Sequence, residues 1–403
     1  MKHMILRLSF GAVVSVVSAQ DVYVNQTGSL GPERNSAAHG FHLVEAAVNS
    51  LSPDGGTVHI APGNYRERPT LRKPALLTRD RNAPGKVTIG ADPGIVAETT
   101  LRFQAYNCRL FDVAPGQAFA DGLRAEFFGE FFAEARLSHD FSAVCEVWET
   151  SPTGTLFFDT LRQRSGYPHG FYGGDYGEIR PNNSGLGLLS NHSLERAEQH
   201  VFENCTAEDC LAAKGWIQAD ITKDGFQVRL YITHTQASGT VIPPTEATDS
   251  VRREQLESIR GSIEHFLTNV PGGVAILMGD MNVVGESGEY PVFSQVFEAL
   301  GGHDAARNAA NGFPFDQPGQ ATTFRPSENN LAAKFCSGCV DERLDYVFYF
   351  PSKDGKVEVQ PVSVDVLKGV ISGARTLTVD GFTTSQLSDH YGLRAELHLR
   401  RLR

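Results

Sequence analysis

Beyond residue 17 the chain has no apolar run near the roughly 18 residues that a membrane-spanning helix needs, so the mature protein is expected to be soluble. It also lacks any internal repeat or low-complexity tract. Positive charge is in deficit, with 36 Lys and Arg against 47 Asp and Glu and a formal charge of -11. That balance disfavours a protein that grips nucleic acid by neutralising many phosphates, although a nuclease touching only a few stays open. Nor is the composition extreme: 41% hydrophobic and 21% charged residues exclude wholesale disorder, collagen-like sequence and a coiled coil. The length of 403 residues allows two or three domains and a large buried core.

What is present begins with a leader. A basic start with Lys2 and Arg7 precedes an apolar run from Leu8 to Val17, and small residues Val17-Ser18-Ala19 precede Gln20. This is the layout of a secretory signal peptide over residues 1–19, so the protein is expected outside the cell, or in the periplasm if the source is bacterial. Export permits disulfides. Of 6 cysteines, Cys205 with Cys210 and Cys336 with Cys339 form close pairs and read as loop staples, while Cys108 and Cys145 sit in apolar surroundings as buried thiols. A zinc site at Cys336-Ser337-Gly338-Cys339 lacks a second ligand pair nearby. Asn25, Asn182, Asn191 and Asn204 occupy glycosylation sequons.

Residues 20–95 read as a small β-rich segment. An amphipathic stretch from Phe41 to Leu51 leads into Gly55-Gly56-Thr57-Val58-His59-Ile60-Ala61-Pro62-Gly63-Asn64-Tyr65, followed by short apolar runs at Leu76-Leu77 and Val87-Thr88-Ile89. This segment resembles the opening coil of right-handed parallel β-helix proteins. It is too short to bury a solenoid core by itself, and Asp92-Pro93-Gly94 marks its end. Thereafter strands and helices alternate. Leu123, Phe127, Phe128, Phe131 and Ala135 fall on one helical stripe, and a strand follows from Ser142 to Val147. Phe226 to Thr233 alternates as a strand. Leu256, Ile259, Ile263 and Phe266 mark a helix capped near Asp249 or Ser250, and Val274 to Met278 reads as a strand buried on both faces. A layered α/β domain over about 100–403 is expected.

Acids, amides and histidines recur where these strands end: Tyr106-Asn107, Glu146, His234, Asp280 with Asn282, Asp345, and Ser388-Asp389-His390. Strand ends deliver side chains to a shared cleft. Singly, each residue is an ordinary turn former or a satisfied polar group. As an ordered set they resemble the endonuclease/exonuclease/phosphatase superfamily, the DNase I-like enzymes, over about residues 101–400. Within it the chain is most similar to the neutral, magnesium-dependent sphingomyelinases. That similarity rests on Glu146-Val147-Trp148, Ser184-Gly185-Leu186-Gly187-Leu188-Leu189-Ser190, Lys214-Gly215-Trp216, Thr233-His234-Thr235-Gln236-Ala237 and Gly279-Asp280-Met281-Asn282-Val283-Val284-Gly285-Glu286.

The resemblance implies a four-layer α/β/β/α sandwich and a metal-dependent phosphodiesterase that hydrolyses sphingomyelin to ceramide and phosphocholine. It implies Glu146 as first ligand of Mg2+, with Asn107 beside it and Asp389 on the second side; Mn2+ and Co2+ are the alternative ions, since hard oxygen donors suit such cations. His390 is implied as general base, because imidazole titrates near neutral pH, with Asp345 fixing its tautomer. Asp280 and Asn282 are implied to orient nucleophile and phosphate, and His234 to donate to a phosphoryl oxygen. The chain departs from the pattern at Cys145, where many relatives carry Gln, and at Gly392, where sphingomyelinases often carry Pro; neither change removes a catalytic group. Phe313-Pro314-Phe315 and the Tyr167 to Tyr176 stretch, with Phe171 and Tyr172, are the candidates for a membrane-contacting hairpin. The expected partner is a phospholipid or other phosphodiester, met at a membrane surface by a monomer with no stable nucleic-acid partner. A DNase I-like nuclease and a catalytically quiet binding protein of the same fold are the competing readings.

Overall fold

A computed structural model describes residues 20–25, 41, 43–52, 54–65, 73–80, 87–89, 94–111, 118–149, 157–176, 180–238, 246–285, 287–309 and 321–403. The expected leader at 1–19 and Phe313-Pro314-Phe315 lie outside these residues. The first elements are β1 (Gln20–Val24), α1 (Val44–Ser50), β2 (Gly56–Ile60), β3 (Gly63–Tyr65), β4 (Ala75–Arg79) and β5 (Val87–Ile89). β2 pairs in parallel with both β1 and β4, and β3 pairs in parallel with β5, so two successive turns of chain stack on one another. Val24, Val44, Val48, Val58, Ile60 and Tyr65 form their common core.

The larger part starts with β6 (Ile95–Phe111), α2 (Asp121–Arg136), β7 (Phe141–Trp148), α3 (Phe157–Ser165), β8 (His169–Tyr172) and β9 (Gly187–Ser190). It continues with β10 (Glu195–Val201), a 3-10 turn at Ala207–Leu211, β11 (Gly215–Lys223), β12 (Phe226–His234), α4 (Glu246–Asn269), β13 (Val274–Asp280), α5 (Glu289–Glu298), β14 (His303–Asp304), α6 (Ala305–Asn308) and α7 (Asn330–Phe335). Last come β15 (Asp345–Phe350), β16 (Val357–Leu367), the hairpin β17 (Leu377–Val379) and β18 (Phe382–Thr384), and β19 (Gly392–Leu402).

Two six-stranded sheets result, ordered β10-β11-β12-β13-β15-β14 and β16-β19-β6-β7-β9-β8. Side chains alternate across each strand, and here both faces are apolar. Ile276 and Met278 of β13 join Phe103, Ala143, Ile232 and Leu397 between the sheets. Ala275 and Leu277 point the other way, to Ile259 and Ile263 of α4 and Phe293 and Phe297 of α5. Across the second sheet, Tyr106, Val144 and Leu189 meet Phe128 and Phe132 of α2 and Leu161 of α3. Helix, sheet, sheet and helix are thus the four layers of the expected sandwich. Among the described residues no helix is long and apolar enough to cross a membrane.

Several local expectations need correcting. The buried stripe of α2 is Arg124, Ala125, Phe128 and Phe132, while Leu123 faces solvent; the face is rotated because the Arg124 guanidinium finds buried acceptors. α4 begins at Glu246, ahead of Asp249 and Ser250, and Asp249 Oδ1 accepts from Arg252 Nη2 instead of capping the helix. β6 does not end at Asn107 but passes through a bulge, its register with β7 shifting between Asn107 and Leu110. The Tyr167 to Tyr176 stretch contains edge strand β8, not a free hairpin: Tyr172 stacks on Phe158 with centroids 5.0 Å apart and its hydroxyl donates to Val147 O at 2.6 Å. Both expected disulfides, Cys205–Cys210 and Cys336–Cys339, are formed, and Cys108 and Cys145 are buried thiols.

Candidate active site

Strand register assembles one set of side chains at the seam between the sheets. β12 and β13 run parallel and place His234 opposite Asp280, and β15 starts antiparallel with Asp345 opposite Asp280. Gly279 makes this close approach possible: a Cβ there would lie 2.0 Å from Thr233 O, and its φ of +134° is tolerated by glycine. From the other sheet, β6 and β7 place Asn107 opposite Cys145, next to Glu146. The sheets meet where Asn107 Nδ2 donates to Glu146 Oε1 at 2.7 Å and to Asp280 Oδ2 at 2.9 Å. Glu146 and Asn282 hold left-handed φ values of 52° and 49°, an uncommon state for residues with a Cβ and one that clusters at functional sites.

His390 completes the arrangement. Its Nδ1 donates to Asp345 Oδ2 at 2.9 Å, leaving Nε2 3.9 Å from Asp280 Oδ2. Asp345 is itself fixed through its N–H, which donates to Thr323 Oγ1. Asn282 N–H donates to Asp280 Oδ1 and its Nδ2 to Thr235 O. His234 Nε2 lies 3.7 Å from Glu146 Oε1 and 3.8 Å from Asp280 Oδ2. Lys214 Nζ donates to that same Nε2 at 3.1 Å, and also to Asp209 Oδ2 and Thr235 O. Because an ammonium can only donate, His234 Nε2 is an acceptor here.

The electrostatics are those of crowded, dry carboxylates. Burial pushes Asp280 up to about 7, and the neighbouring Asp345 charge adds to this while His390 opposes it. Burial, then the charge of Asp389, raises Glu146 against the bond from Asn107. For His390 burial acts downward but is outweighed by the charge and hydrogen bond of Asp345, so the imidazole stands well above its ordinary value. His234 is held well below its ordinary value by burial, then by Lys214 and His390. Carboxylates packed this way repel one another unless a cation or donors intervene. Glu146, His234 and Asp280 present ligand atoms within 4.8 Å of one another, as do Asp280, Asp345 and His390. The Asn107 amide now bridges the two carboxylates whose charge a hard cation would balance, and amide oxygen and carboxylates are the donors such an ion takes.

Seven of the eight residues singled out from sequence therefore lie in one hydrogen-bonded or ligand-spaced cluster: Asn107, Glu146, His234, Asp280, Asn282, Asp345 and His390. Asp389 is placed differently. Its Oδ2 pairs with Arg109 Nε at 3.0 Å and it joins neither ligand-spaced group, although its charge still reaches Glu146. Lys214 appeared in the sequence only as part of a motif, without a role. Its signal was a lone Lys directly after Ala212-Ala213, a place where an unpaired ammonium would be costly. Arg109 gave no such signal, because it reaches Asp389 only through the bulge.

Two face-to-face sheets, helices outside, and this acid, amide and imidazole set at one end of the seam define a DNase I-like, endonuclease/exonuclease/phosphatase fold. In sequence the chain is similar to sphingomyelinase C 2 of Leptospira interrogans serogroup Icterohaemorrhagiae serovar Lai (27% identical over 264 residues, 61% of this chain and 38% of that protein). It is similar also to sphingomyelinase C of Listeria ivanovii (26% over 229 residues, 54% and 63%) and of Bacillus cereus (24% over 338 residues, 78% and 94%). The chain thus spans less than two thirds of the first two of these proteins. Among solved structures it is similar to the beta toxin of Staphylococcus aureus (TM-score 0.60, 21% identity, 73% of this chain and 99% of that one) and to TDP2 from D. rerio complexed with single strand DNA product (TM-score 0.51, 17% identity, 74% and 99%). No family profile matches the chain.

Proposed function

We propose that the protein is a secreted, metal-dependent phosphodiesterase that hydrolyses sphingomyelin to ceramide and phosphocholine. Residues 100–403 form the catalytic unit and 20–95 an appended segment. The observation that carries the reading is the bond of Asn107 to both Glu146 and Asp280, which joins the two sheets at a carboxylate cluster beside the Asp345–His390 pair. The sphingomyelinases to which the chain is similar support sphingomyelin as the substrate. The two disulfides and the basic-then-apolar start of the sequence support export.

Hydrolysis adds water across a P–O bond, sending hydroxide to phosphorus and a proton to the departing ceramide oxygen. Glu146, Asp280 and the Asn107 amide between them would hold Mg2+; a beta toxin of the same fold carries magnesium ions. When bound, that ion supplies charge neutralisation on phosphoryl oxygens. His390 Nε2 takes the proton from water, and Asp345 keeps Nδ1 protonated and stabilises the imidazolium. Asn282 orients the phosphate. Lys214, held against His234, places a fixed positive charge beside the developing negative one.

The test sets sphingomyelin vesicles and supercoiled plasmid side by side, with Mg2+ or with EDTA, and His390→Ala as blank. Magnesium-dependent phosphocholine release without plasmid nicking is expected. Efficient nicking without phosphocholine would replace this reading with a nuclease.

A further inference from the structure

The Arg124 guanidinium, fully buried on the inner face of α2, lies between the two halves of the site. Nε donates to Leu387 O at 2.9 Å, Nη1 to Arg109 O at 2.9 Å and Asp121 Oδ1 at 2.8 Å, and Nη2 to Cys108 O at 2.5 Å. Three of these acceptors are main-chain carbonyls from two distant parts of the chain. Cys108 and Arg109 form the bulge of β6, between the register pairs Asn107 with Cys145 and Leu110 with Val147. A buried carbonyl needs a donor, and at the bulge the fork supplies one to each of these two. Leu387 directly precedes Ser388-Asp389-His390.

Each clamped segment carries part of the site. On one side of the bulge is Asn107, whose Oδ1 accepts from Arg109 N–H. Arg109 itself, with φ of 48°, lays its guanidinium 3.2 Å over the Phe335 ring and holds Asp389. On the other side is the loop that delivers His390. A planar guanidinium spans several acceptors at fixed angles, whereas an ammonium is a point donor on a flexible stem.

We infer that Arg124 is a positioning residue: it sets the spacing between the Asn107 bulge and the His390 loop, and through it the metal affinity and the base geometry together. This rests on the reading above that both segments serve one reaction.

Arg124→Lys keeps the charge next to Asp121 but cannot reach all three carbonyls. Asp121→Asn keeps the fork on its carbonyls and removes the counter-charge together with one of the two acceptors that Arg124 and Phe119 N–H now use. Ile263→Ala, in the opposite helix layer, is the stability control. The full chain of each is compared by melting temperature, amide hydrogen exchange over residues 107–111 and 386–391, and Mg2+ affinity by calorimetry. Arg124→Lys is expected to speed exchange in both segments and weaken Mg2+ binding by about 10- to 100-fold, the usual effect of losing an outer-sphere support. Asp121→Asn and Ile263→Ala should lower melting alone. The inference is overturned if Arg124→Lys melts lower while exchange in the two segments and Mg2+ affinity stay put. Equal changes in Asp121→Asn, which would make the seating of α2 the cause, also overturn it, and this arm decides the matter if Arg124→Lys does not fold. Absence of phosphocholine release by the unmodified protein would defeat the functional reading, yet the exchange and calorimetry arms would still decide this one.

Discussion

If Asp345 acts through His390, substituting both should cost no more than substituting His390. Asp345 touches the imidazole through the 2.9 Å bond to Nδ1, and Nε2 is left for water. Loss of a general base costs about 100- to 10,000-fold, so His390→Ala is expected near 10³-fold in kcat. Loss of an orienting partner costs about 10- to 100-fold, which places Asp345→Asn near 10²-fold. Independent action would multiply these to about 10⁵-fold in the double variant. Action in series predicts about 10³-fold, and the missing two decades are a coupling of about 2.7 kcal/mol. Phosphocholine release from sphingomyelin vesicles under saturating Mg2+ supplies kcat for the four proteins, and circular dichroism with thermal melting confirms that each is folded. A double variant at the full product of the single losses would refute the dyad and make Asp345 a group with its own separate role.

Other outcomes follow from particular contacts. Glu146→Gln keeps the shape of the site and removes one ligand charge, so Mg2+ should no longer raise the melting temperature; for the unmodified protein, Mg2+ at about 100 times Kd should add about 2.7 kcal/mol. An undiminished metal-induced shift in the variant would take Glu146 out of the metal site. Asp304 is fully buried, and although burial acts to raise its carboxyl, the charge and two bonds of Arg343 hold it below the ordinary value. Its stabilisation is therefore present above about pH 4 and is lost as pH falls through the lower folded value. Asp304→Asn should cost about 3–5 kcal/mol at pH 7 in urea unfolding, with the gap to the unmodified protein closing in acid; a pH-independent gap would contradict this. In Gly392→Ala the new Cβ would sit 2.4 Å from Tyr106 Cδ2 and 2.9 Å from Ala105 O, so a loss of about 1–3 kcal/mol is expected, and an unchanged urea midpoint would show that Tyr106 gives way freely.

The class of fold was legible because apolar periodicity survives in β13 and α4, where nearly every residue facing a layer is aliphatic or aromatic. The members of the site were legible because they stand at strand ends and in a recognisable order. Their mutual geometry was not. Asp345 and His390 are 45 residues apart, and only the antiparallel start of β15 brings Asp345 to the seam. Asn107 looked like a strand end because the polar Asn interrupts an apolar run; the bulge that follows depends on donors from α2. Arg124 was unreadable for the same reason, since a guanidinium in an apolar stripe counts against burial until its carbonyl partners are known. Gly392, a departure from the family pattern in sequence, has a local cause in the Tyr106 ring that occupies the space of its Cβ.

The same contrast explains why the site stands where the two sheets meet. Asp280 and Asp345 are each almost fully buried, and the charge of Asp389 reaches Glu146 as that of Glu146 reaches Asp280. No local preference draws four carboxylates together; unpaired, they lower stability. They are held by backbone register, His234 to Asp280 to Asp345 in one sheet and Asn107 to Cys145 in the other. That register is enforced by the apolar layers on both faces, since a one-residue slip in any of these strands would exchange the side chains fitted between the sheets with those fitted against the helices. The positive groups are then distributed so that each faces the cluster from a different element: His390 from the loop before β19, Lys214 ahead of β11, and Arg109 from the bulge of β6. The fold thus supplies fixed cations around the rim and leaves the carboxylates at the centre under-compensated, the condition under which a divalent cation binds most favourably.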